Sequence, residues 1–249
     1  MVSMDRRNVA EFHGMSISSK ELQSLTWRGA PILGKRRVSL EEKTSFRWAA
    51  EPALEPVLRW LRIRKILPYV KERKGCSLLD IGCGPRFAML RALSPYIRLG
   101  VGIDEEVEDL QYGNIRTYKL RLDKTLPFTS DFFQMVTMLA VLEHLDFPEE
   151  ILKEVRRVMR PEGLLLITTP SPKAKPLLEF LSYKLHLVSQ KEILDHKRYY
   201  DRKALEKLMN VCGFRMEKHV YFQLGFNNFL VATPIAETLW SVNILDDPS

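Results

Sequence analysis

Cysteine is scarce in this chain. The 249 residues include only three cysteines, Cys76, Cys83 and Cys212, and no two of them have the close spacing of a metal-binding pair. An odd and scattered set of thiols predicts neither a zinc site nor a disulfide framework. We therefore expect no metal, and thiols that serve as small apolar side chains in or near the core.

Long apolar runs are also missing. The longest, such as Met138–Leu142 and Gly163–Ile167, cover only a few residues, whereas a transmembrane helix needs roughly 18 or more. The first residues include Asp5, Arg6 and Arg7, and no apolar stretch with a small-residue cleavage site follows them, so no secretory signal is readable. We expect a cytoplasmic protein without a transmembrane segment.

Acidic residues are few at the amino end. Residues 1–75 contain sixteen Lys and Arg against eight Asp and Glu, whereas residues 76–249 contain twenty-two against twenty-three. The formal net charge of +7 therefore arises in the N-terminal part. Such a segment is able to contact nucleic acid, an anionic membrane surface or an acidic substrate, and a solvated basic face explains it equally well.

From about residue 77 the sequence alternates short β-rich runs with helical stretches, which predicts βαβ units and a parallel sheet. The predicted fold is α/β, a doubly wound, mostly parallel, Rossmann-like sheet of seven strands that ends in an antiparallel C-terminal hairpin. The predicted strands are Ser77–Ile81, Leu99–Ile103, Arg116–Leu120, Gln134–Ala140, Gly163–Thr169, His219–Leu224 and Phe229–Thr233. We divide the chain into a basic helical N-terminal extension at residues 1–70, the main domain at 71–235 and a tail at 236–249.

Three helices are readable from apolar spacing and end signals. The stretch Leu54–Lys65 predicts an amphipathic helix with Val57 on its apolar face. The stretch Asp146–Glu149 predicts a capping box that starts a second helix, which Pro161–Gly163 would end. A third helix is predicted to begin near Asp201.

The end of the first predicted strand carries the most informative motif. It reads Leu-Leu-Asp80-Ile-Gly82-Cys-Gly84-Pro-Arg, a carboxylate followed by two glycines in a tight strand-to-helix turn. Glycine permits such a turn and lets a ligand approach the backbone without an intervening Cβ. A dinucleotide loop would need a third small residue where Phe87 stands, and Asp80 would repel a diphosphate. These residues favour a nucleoside with an amino-acid tail over NAD.

Asp104 ends the second predicted strand, twenty-four positions after Asp80. This separation is close to the one at which an acid reaches ribose hydroxyls in nucleotide-binding folds. The alternative is an aspartate that only caps its own turn. Together with the glycine loop, the spacing favours a ribose-binding carboxylate.

With its later motifs, the chain resembles the class I S-adenosylmethionine-dependent methyltransferases of the broad small-molecule type. The stretches that agree in order and spacing are Leu126–Phe128, Val136–Leu145, Arg157–Gly163 and Thr168–Pro170. The resemblance covers roughly residues 70–233 and implies that S-adenosylmethionine is the cofactor.

The resemblance also implies a cofactor site in the loops that follow four of the strands. Its eight residues are Asp80, Gly82, Cys83, Gly84, Asp104, Asp123, Leu139 and Ala140. The glycine loop would hold the methionine part and Asp104 the ribose. Asp123 would bind the adenine, while Leu139 and Ala140 would flank the transferring methyl group.

The chain departs from the family pattern in three places. Arg86 stands where many members have a third glycine, and Gln134 stands where the family often has an aspartate. Arg121 and Leu122 occupy the positions expected for the adenine-binding acid, so that Asp123 is displaced by one step.

Two histidines are candidate catalytic bases. His144 follows the fourth strand in a Glu143-His144 pair, and an imidazole is suited to proton removal near neutral pH. In the family this pair also supports the loop and the cofactor. His196 has Asp195 beside it to orient its ring, and the alternative is that both residues anchor the loop to the next helix.

The predicted activity is transfer of a methyl group from the sulfonium to an O, N or C acceptor by in-line displacement. The expected acceptor is a small molecule or a lipid- or glycan-type substrate, and peripheral membrane contact stays open. An RNA methyltransferase is an alternative, supported by the basic residues 28–74 with their tryptophans but not by Leu139–Leu142, which lacks the Asn/Asp-Pro-Pro motif of base-methylating enzymes. A non-catalytic S-adenosylmethionine-binding module is a third reading, because a fold does not guarantee a reaction.

Overall fold

The structure is a computed structural model that describes residues 54–175 and 197–236, together with two short strands nearer the amino end. The elements formed by these residues are β1 (Thr26–Trp27), β2 (Ala30–Pro31), α1 (Glu55–Glu72), β3 (Cys76–Ile81), α2 (Ala88–Leu93), β4 (Ile97–Asp104), β5 (Leu110–Tyr112), β6 (Ile115–Lys119), β7 (Phe133–Leu139), α3 (Pro148–Val158), β8 (Met159–Pro170), α4 (Arg202–Val211), β9 (Phe214–Phe222) and β10 (Asn227–Pro234). Strands β1 and β2 pair antiparallel with each other. The remainder of the predicted N-terminal extension before residue 54 lies outside the described residues.

Eight strands form the main sheet in the order β5-β6-β4-β3-β7-β8-β10-β9. Strands β6, β4, β3, β7 and β8 are parallel, whereas β10 pairs antiparallel with both β8 and β9. The predicted doubly wound α/β class and the antiparallel hairpin are therefore confirmed. The eighth strand is the three-residue β5, which pairs antiparallel with β6 at one edge.

Helices cover both faces of the sheet, which is why its central strand is buried along its whole length. β3 is buried at all six positions. On one face Leu152 of α3 and Leu205 of α4 join the core, and on the other face Ile66 of α1 and Leu90 of α2 do so. Burial on both faces explains the continuous apolar runs that predicted these strands.

Helix α1 forms where its periodicity predicts, but it buries a different part of its length. Its fully buried residues, Ile66 and Val70, lie in the carboxyl half, whereas Val57 in the amino half is 51% exposed. The apolar face on which we place Val57 is therefore not buried at that residue. The helix also spans residue 70, where we place the boundary of the N-terminal extension, so that division stays a prediction.

The start of α3 differs from the predicted capping box. Its N-terminal cap is Phe147 without a side-chain hydrogen bond, and Pro148 begins the helix. The carboxylate of Asp146 instead accepts a hydrogen bond from Lys197 Nζ at 2.6 Å. By contrast Asp201 caps α4 as predicted, because its carboxylate accepts from the Ala204 amide at 2.8 Å.

The end of α3 also differs from the prediction. Val158 is its last residue, and Met159 already pairs with Phe133 of β7. The register then shifts so that Leu164 pairs with Met135. The stretch Pro161–Gly163, predicted to end the helix, is therefore an irregular part of β8.

The parallel strands all end at the same edge of the sheet, which we call the carboxyl edge. The direction of β9 and β10 places the turn between them at this edge as well. Helix α1 runs from the carboxyl edge to the opposite edge, because its last turn leads into the start of β3. No helix among the described residues combines the length and the apolar composition needed to cross a bilayer.

Candidate active site

The chain order places a crevice at the carboxyl edge between β3 and β7. Successive strands extend from β3 through β4 to β6 on one side and from β7 to β8 on the other. Ligands of open α/β sheets bind at such a switch point, outside the carboxyl ends of the strands. The backbone has left-handed φ angles in both adjoining turns, at Gly82 (72°), Gly84 (69°) and Phe87 (34°) after β3 and at Ala140 (59°) after β7.

Gly82 allows the two turns to approach each other. A Cβ added at this position would lie 2.3 Å from Cγ2 of Val141, which belongs to the turn after β7. The Gly82 amide donates to the Ile103 carbonyl at 2.9 Å and so ties the loop to β4. Any larger residue would separate the two walls of the crevice.

Gly84 lines open space. No heavy atom outside its immediate chain neighbours lies within 4 Å of the position that a Cβ would take. Its amide donates to Asp104 Oδ2 at 2.9 Å, and the Glu106 amide donates to Asp104 Oδ1 at 2.8 Å. Each carboxylate oxygen retains a second acceptor site. A backbone cradle beside a positioned carboxylate fits the nucleoside and amino-acid parts of S-adenosylmethionine.

Burial raises the pKa of Asp104, and the neighbouring acids add to this effect, while the hydrogen bonds from Glu106 and Gly84 oppose it. The two amide bonds hold the carboxylate at the end of β4. The acid predicted to reach the ribose therefore lies at the crevice, in contact with the glycine loop.

Asp80 lies beneath the glycine loop. It is only 2% exposed, and Thr137 Oγ1 of β7 donates to its Oδ1 at 2.8 Å. Burial raises the pKa of Asp80 to about 8, the Thr137 hydrogen bond opposes the shift and Asp104 adds to it. At neutral pH this carboxyl group is therefore mostly protonated. Thr137 was missed by sequence reasoning, although it is a polar residue in the middle of a buried strand.

Cys83 turns its side chain away from the crevice. Its sulfur would lie 2.8 Å from a Cβ added at Gly102, so the glycine of β4 makes room for it. Burial, followed by the proximity of Asp80 and Asp104, raises the pKa of the Cys83 thiol well above its usual range. Cys83 as a whole is half-buried, and its thiol lies 3.6 Å from the Gly84 carbonyl oxygen.

The structure places the other predicted cofactor residues at the same edge. Leu139 is half-buried at the end of β7, and the Ala140 amide that follows donates to the Thr168 carbonyl at 2.8 Å. Asp123 is exposed in the loop after β6. Gln134 lies at the opposite end of β7, where its Oε1 accepts from the Ser77 amide at 3.2 Å. That departure from the family pattern therefore connects strands and does not alter the crevice.

A short 3₁₀ turn, Leu142–His144, follows the crevice turn of β7. His144 is half-buried there, next to Glu143, which is 1% exposed. Thr169 Oγ1 donates to Glu143 Oε2 at 3.0 Å, while Oε1 has no hydrogen-bond partner among the described residues. Burial raises the pKa of Glu143, and the nearby imidazole opposes the shift. His196, the other candidate base, lies outside the described residues.

Glu143 is a functional candidate that we did not predict from the sequence, where only His144 and His196 were considered as bases. A buried carboxyl oxygen without a partner costs free energy, about 1–3 kcal/mol. Such a group is therefore typical of a site that a ligand completes. The signal available in the sequence was its position, directly before His144 at the end of a buried strand.

A cavity of about 390 Å³ adjoins this turn. It lies at the start of α3 and is lined in part by Phe147, Arg198 and Tyr200. Cavities of about 300–1,000 Å³ suit small molecules. Its lining residues belong to the start of α3, to the segment before α4 and to α4 itself, and none of them belongs to the glycine loop or to the turn Leu142–His144.

Residues 54–219 match the family model described as a methyltransferase domain. A tRNA U34 carboxymethyltransferase from Klebsiella pneumoniae is 24% identical over 172 residues, which cover 65% of this chain and 47% of that protein. A demethylmenaquinone methyltransferase from Lactobacillus johnsonii is 22% identical over 188 residues, which cover 71% of this chain and 70% of that protein. The chain spans about half or less of the length of most of the curated relatives it matches.

The fold agrees with solved structures of low sequence identity. An S-adenosylmethionine-dependent methyltransferase from Aquifex aeolicus has a TM-score of 0.51 and 16% identity, with 75% of this chain and 100% of that chain covered. The family match covers most of this chain and includes the glycine loop, Asp104 and the turn after β7. The chain therefore belongs to the methyltransferase-domain family.

Proposed function

We propose that this enzyme methylates a small molecule or a lipid- or glycan-type acceptor at the crevice between β3 and β7. The observation that carries the proposal is the open backbone cradle at Gly84, held against Asp104 by a 2.9 Å hydrogen bond.

In this proposal different residues of the chain bind different parts of the methyl donor. The glycine loop holds the methionine part through its backbone, Asp104 binds the ribose hydroxyls, and Asp123 approaches the adenine. Leu139 and Ala140 lie beside the methyl group and exclude water from it. S-Adenosylmethionine supplies a methyl group that is already activated by its sulfonium, so alignment of the acceptor is the main task left to the protein.

The displacement forms a bond from the acceptor atom to the methyl carbon and breaks the sulfur–methyl bond. An acceptor that carries a hydrogen must also lose a proton. We propose His144, after β7, as the residue that receives it, and His196 is a second candidate from the sequence. A general base contributes about 10²–10⁴-fold in rate, whereas alignment contributes roughly 7–11 kcal/mol.

The donor-site assignment is tested with two glycine substitutions that match in backbone strain. Gly84 and Gly113 have φ angles of 69° and 61°, and neither has an atom within 4 Å of an added Cβ. Gly84→Ala and Gly113→Ala should therefore lose similar stability, about 1 kcal/mol each. Only Gly84→Ala should weaken S-adenosylmethionine binding, by about tenfold or more, in calorimetric titration. Equal affinity in both folded variants contradicts the cradle.

RNA is the second candidate acceptor, because one of the relatives is named as a tRNA U34 carboxymethyltransferase. The two acceptor classes are separated by incubating the enzyme with methyl-labelled donor and either bulk tRNA or a total lipid and metabolite extract. Label in the extract, absent with Gly84→Ala, supports the proposed acceptor class. Label that enters tRNA and is released by ribonuclease contradicts it.

A further inference from the structure

Exposed apolar side chains concentrate at the carboxyl edge. Among the residues that the structure describes, six large apolar side chains are exposed. The direction of their elements places five at this edge, Val57, Trp60, Phe147, Tyr221 and Leu224, and only Val211 at the opposite edge. Clustered exposure of this kind marks an interaction surface more often than scattered exposure does.

The amino half of α1 and the turn between β9 and β10 form one part of this edge. Lys65 Nζ lies 5.7 Å from the centre of the Phe222 ring, which joins α1 to the last residue of β9. Val57 lies eight residues before Lys65 in α1. At the rise of a helix this is a distance of about 12 Å along the helix axis. Val57, Trp60 and Arg64 lie on one face of α1, opposite the buried Ile66 and Val70, and Lys65 lies on the flank that contacts the hairpin. Leu224 is in the turn of that hairpin. We call Val57, Trp60, Arg64, Lys65 and Leu224 the α1–hairpin rim.

Leu224 is the most exposed member of the rim, at 95%. It also has a left-handed φ of 57°, as does Gln223 before it at 50°. Turns with two such residues favour Asn-Gly, because a side chain with a branched or bulky group is strained in this region. A leucine is thus held in a strained turn while its whole side chain faces water. Strain of this kind points to a function outside the folding of the domain itself.

The charges of the rim are mostly basic. Arg64 and Lys65 belong to it, and Arg59 lies on the same half of the helix. Arg62 and Glu55 of that half form an ion pair with each other at 4.0 Å. The Arg64 guanidinium lies 4.6 Å from the centre of the Trp60 ring, and Trp60 is 52% exposed. Tryptophan with arginine and lysine at the border of an apolar surface is the chemistry of a lipid–water interface.

We propose that the α1–hairpin rim docks on an anionic membrane surface, with Leu224, Val57 and Trp60 in the headgroup region and the basic residues against lipid phosphates. This would orient the crevice toward the bilayer, and it deepens the proposed function because it names a lipid-borne acceptor. Single-stranded RNA would use Trp60 and Arg64, but it has no use for two exposed aliphatic side chains.

The test is co-sedimentation of the full chain with phosphatidylcholine vesicles that contain or lack phosphatidylglycerol. We expect binding to the anionic vesicles that weakens as salt rises. Leu224→Ser should weaken it by about tenfold, since the lost contact is a fully exposed leucine, and Arg64→Gln by about fivefold. Val211→Ser is the matched control, because Val211 is 45% exposed at the opposite edge, and its binding should equal that of the unmodified protein.

Several outcomes overturn the docking proposal. The first is that the protein does not bind anionic vesicles, and the second is that Leu224→Ser and Val211→Ser bind them equally well. The third is that the protein binds bulk tRNA and that Leu224→Ser abolishes this binding. The fourth is that size-exclusion chromatography shows a dimer that Leu224→Ser dissociates. Calorimetric titration with S-adenosylmethionine is run on each variant. Unchanged donor affinity with lost vesicle binding separates a failure of the rim from a failure of the proposed methyltransferase site.

Discussion

The buried carboxyl group of Asp80 leads to a measurable dependence of stability on pH. In the unfolded chain an aspartate titrates near its ordinary pKa of 3.8, whereas burial raises the pKa of Asp80 to about 8 in the folded protein. Between these values the folded protein keeps a proton that the unfolded chain has released. Raising the pH therefore favours unfolding, by about 1.4 kcal/mol per pH unit for this one group.

Asp80→Asn removes the titration but keeps an oxygen that accepts the Thr137 hydroxyl. Between about pH 5 and about pH 7, the free energy of unfolding of the variant should therefore rise by roughly 3 kcal/mol relative to that of the unmodified protein. Urea unfolding followed by circular dichroism measures this difference, and unchanged m-values show that the same transition is compared. The contributions of the other titratable groups to the pH dependence cancel in this difference, because both proteins contain them.

The control is Asp131→Asn, which changes an exposed aspartate outside the crevice. If the stability difference between Asp80→Asn and the unmodified protein is the same at both pH values, Asp80 is ionised in the folded protein. In that case the account of a neutral acid beneath the glycine loop is refuted.

Two further predictions concern the ion pair of Glu154 and the reactivity of the buried thiols. Glu154 of α3 accepts the Leu126 amide at 2.8 Å and pairs with Arg157 at 2.8 Å. Partial burial raises the pKa of Glu154, but these contacts outweigh it and lower that pKa below its ordinary value. Glu154→Gln should therefore destabilise the protein by about 1–3 kcal/mol near neutral pH and by less once the pH has fallen through the lowered pKa. Urea unfolding near neutral pH and at a pH below that pKa measures this difference, and an equal loss at the two contradicts the clamp that these contacts form. Burial raises the pKa of the Cys76 thiol to about 11 and that of the Cys212 thiol to about 12, and both residues are buried. These two thiols should therefore react with a thiol reagent only as the protein unfolds, and their rapid labelling in the folded protein contradicts this.

The parallel strands could be predicted because each is a short run of apolar residues buried on both sides. The prediction for β7, Gln134–Ala140, differs from the observed Phe133–Leu139 by one residue at each end. β8 was predicted to begin at Gly163 but begins at Met159. Proline and glycine normally end a helix, and the sequence gives no sign that the chain continues as an irregular strand through both.

The missed features of the site depend on residues that are distant in the chain. Asp146 was predicted to cap α3, but it binds Lys197, fifty-one positions away. The need for glycine at position 82 was predicted from the ligand loop, whereas the structure adds the contact with Val141. Local patterns indicate which residue types a turn needs, but they do not identify the partner that approaches it from another strand.

The position of β10 has a consequence for the order of folding during synthesis. β9 is made before β10, yet β10 is the sheet neighbour that joins β9 to the rest of the sheet. β8 likewise has an open edge until β10 pairs with it. While the chain emerges from the ribosome, this edge offers unpaired backbone groups to other nascent chains. The two C-terminal strands therefore have to join as a hairpin, and folding on this side of the domain waits until the second of them has been synthesised.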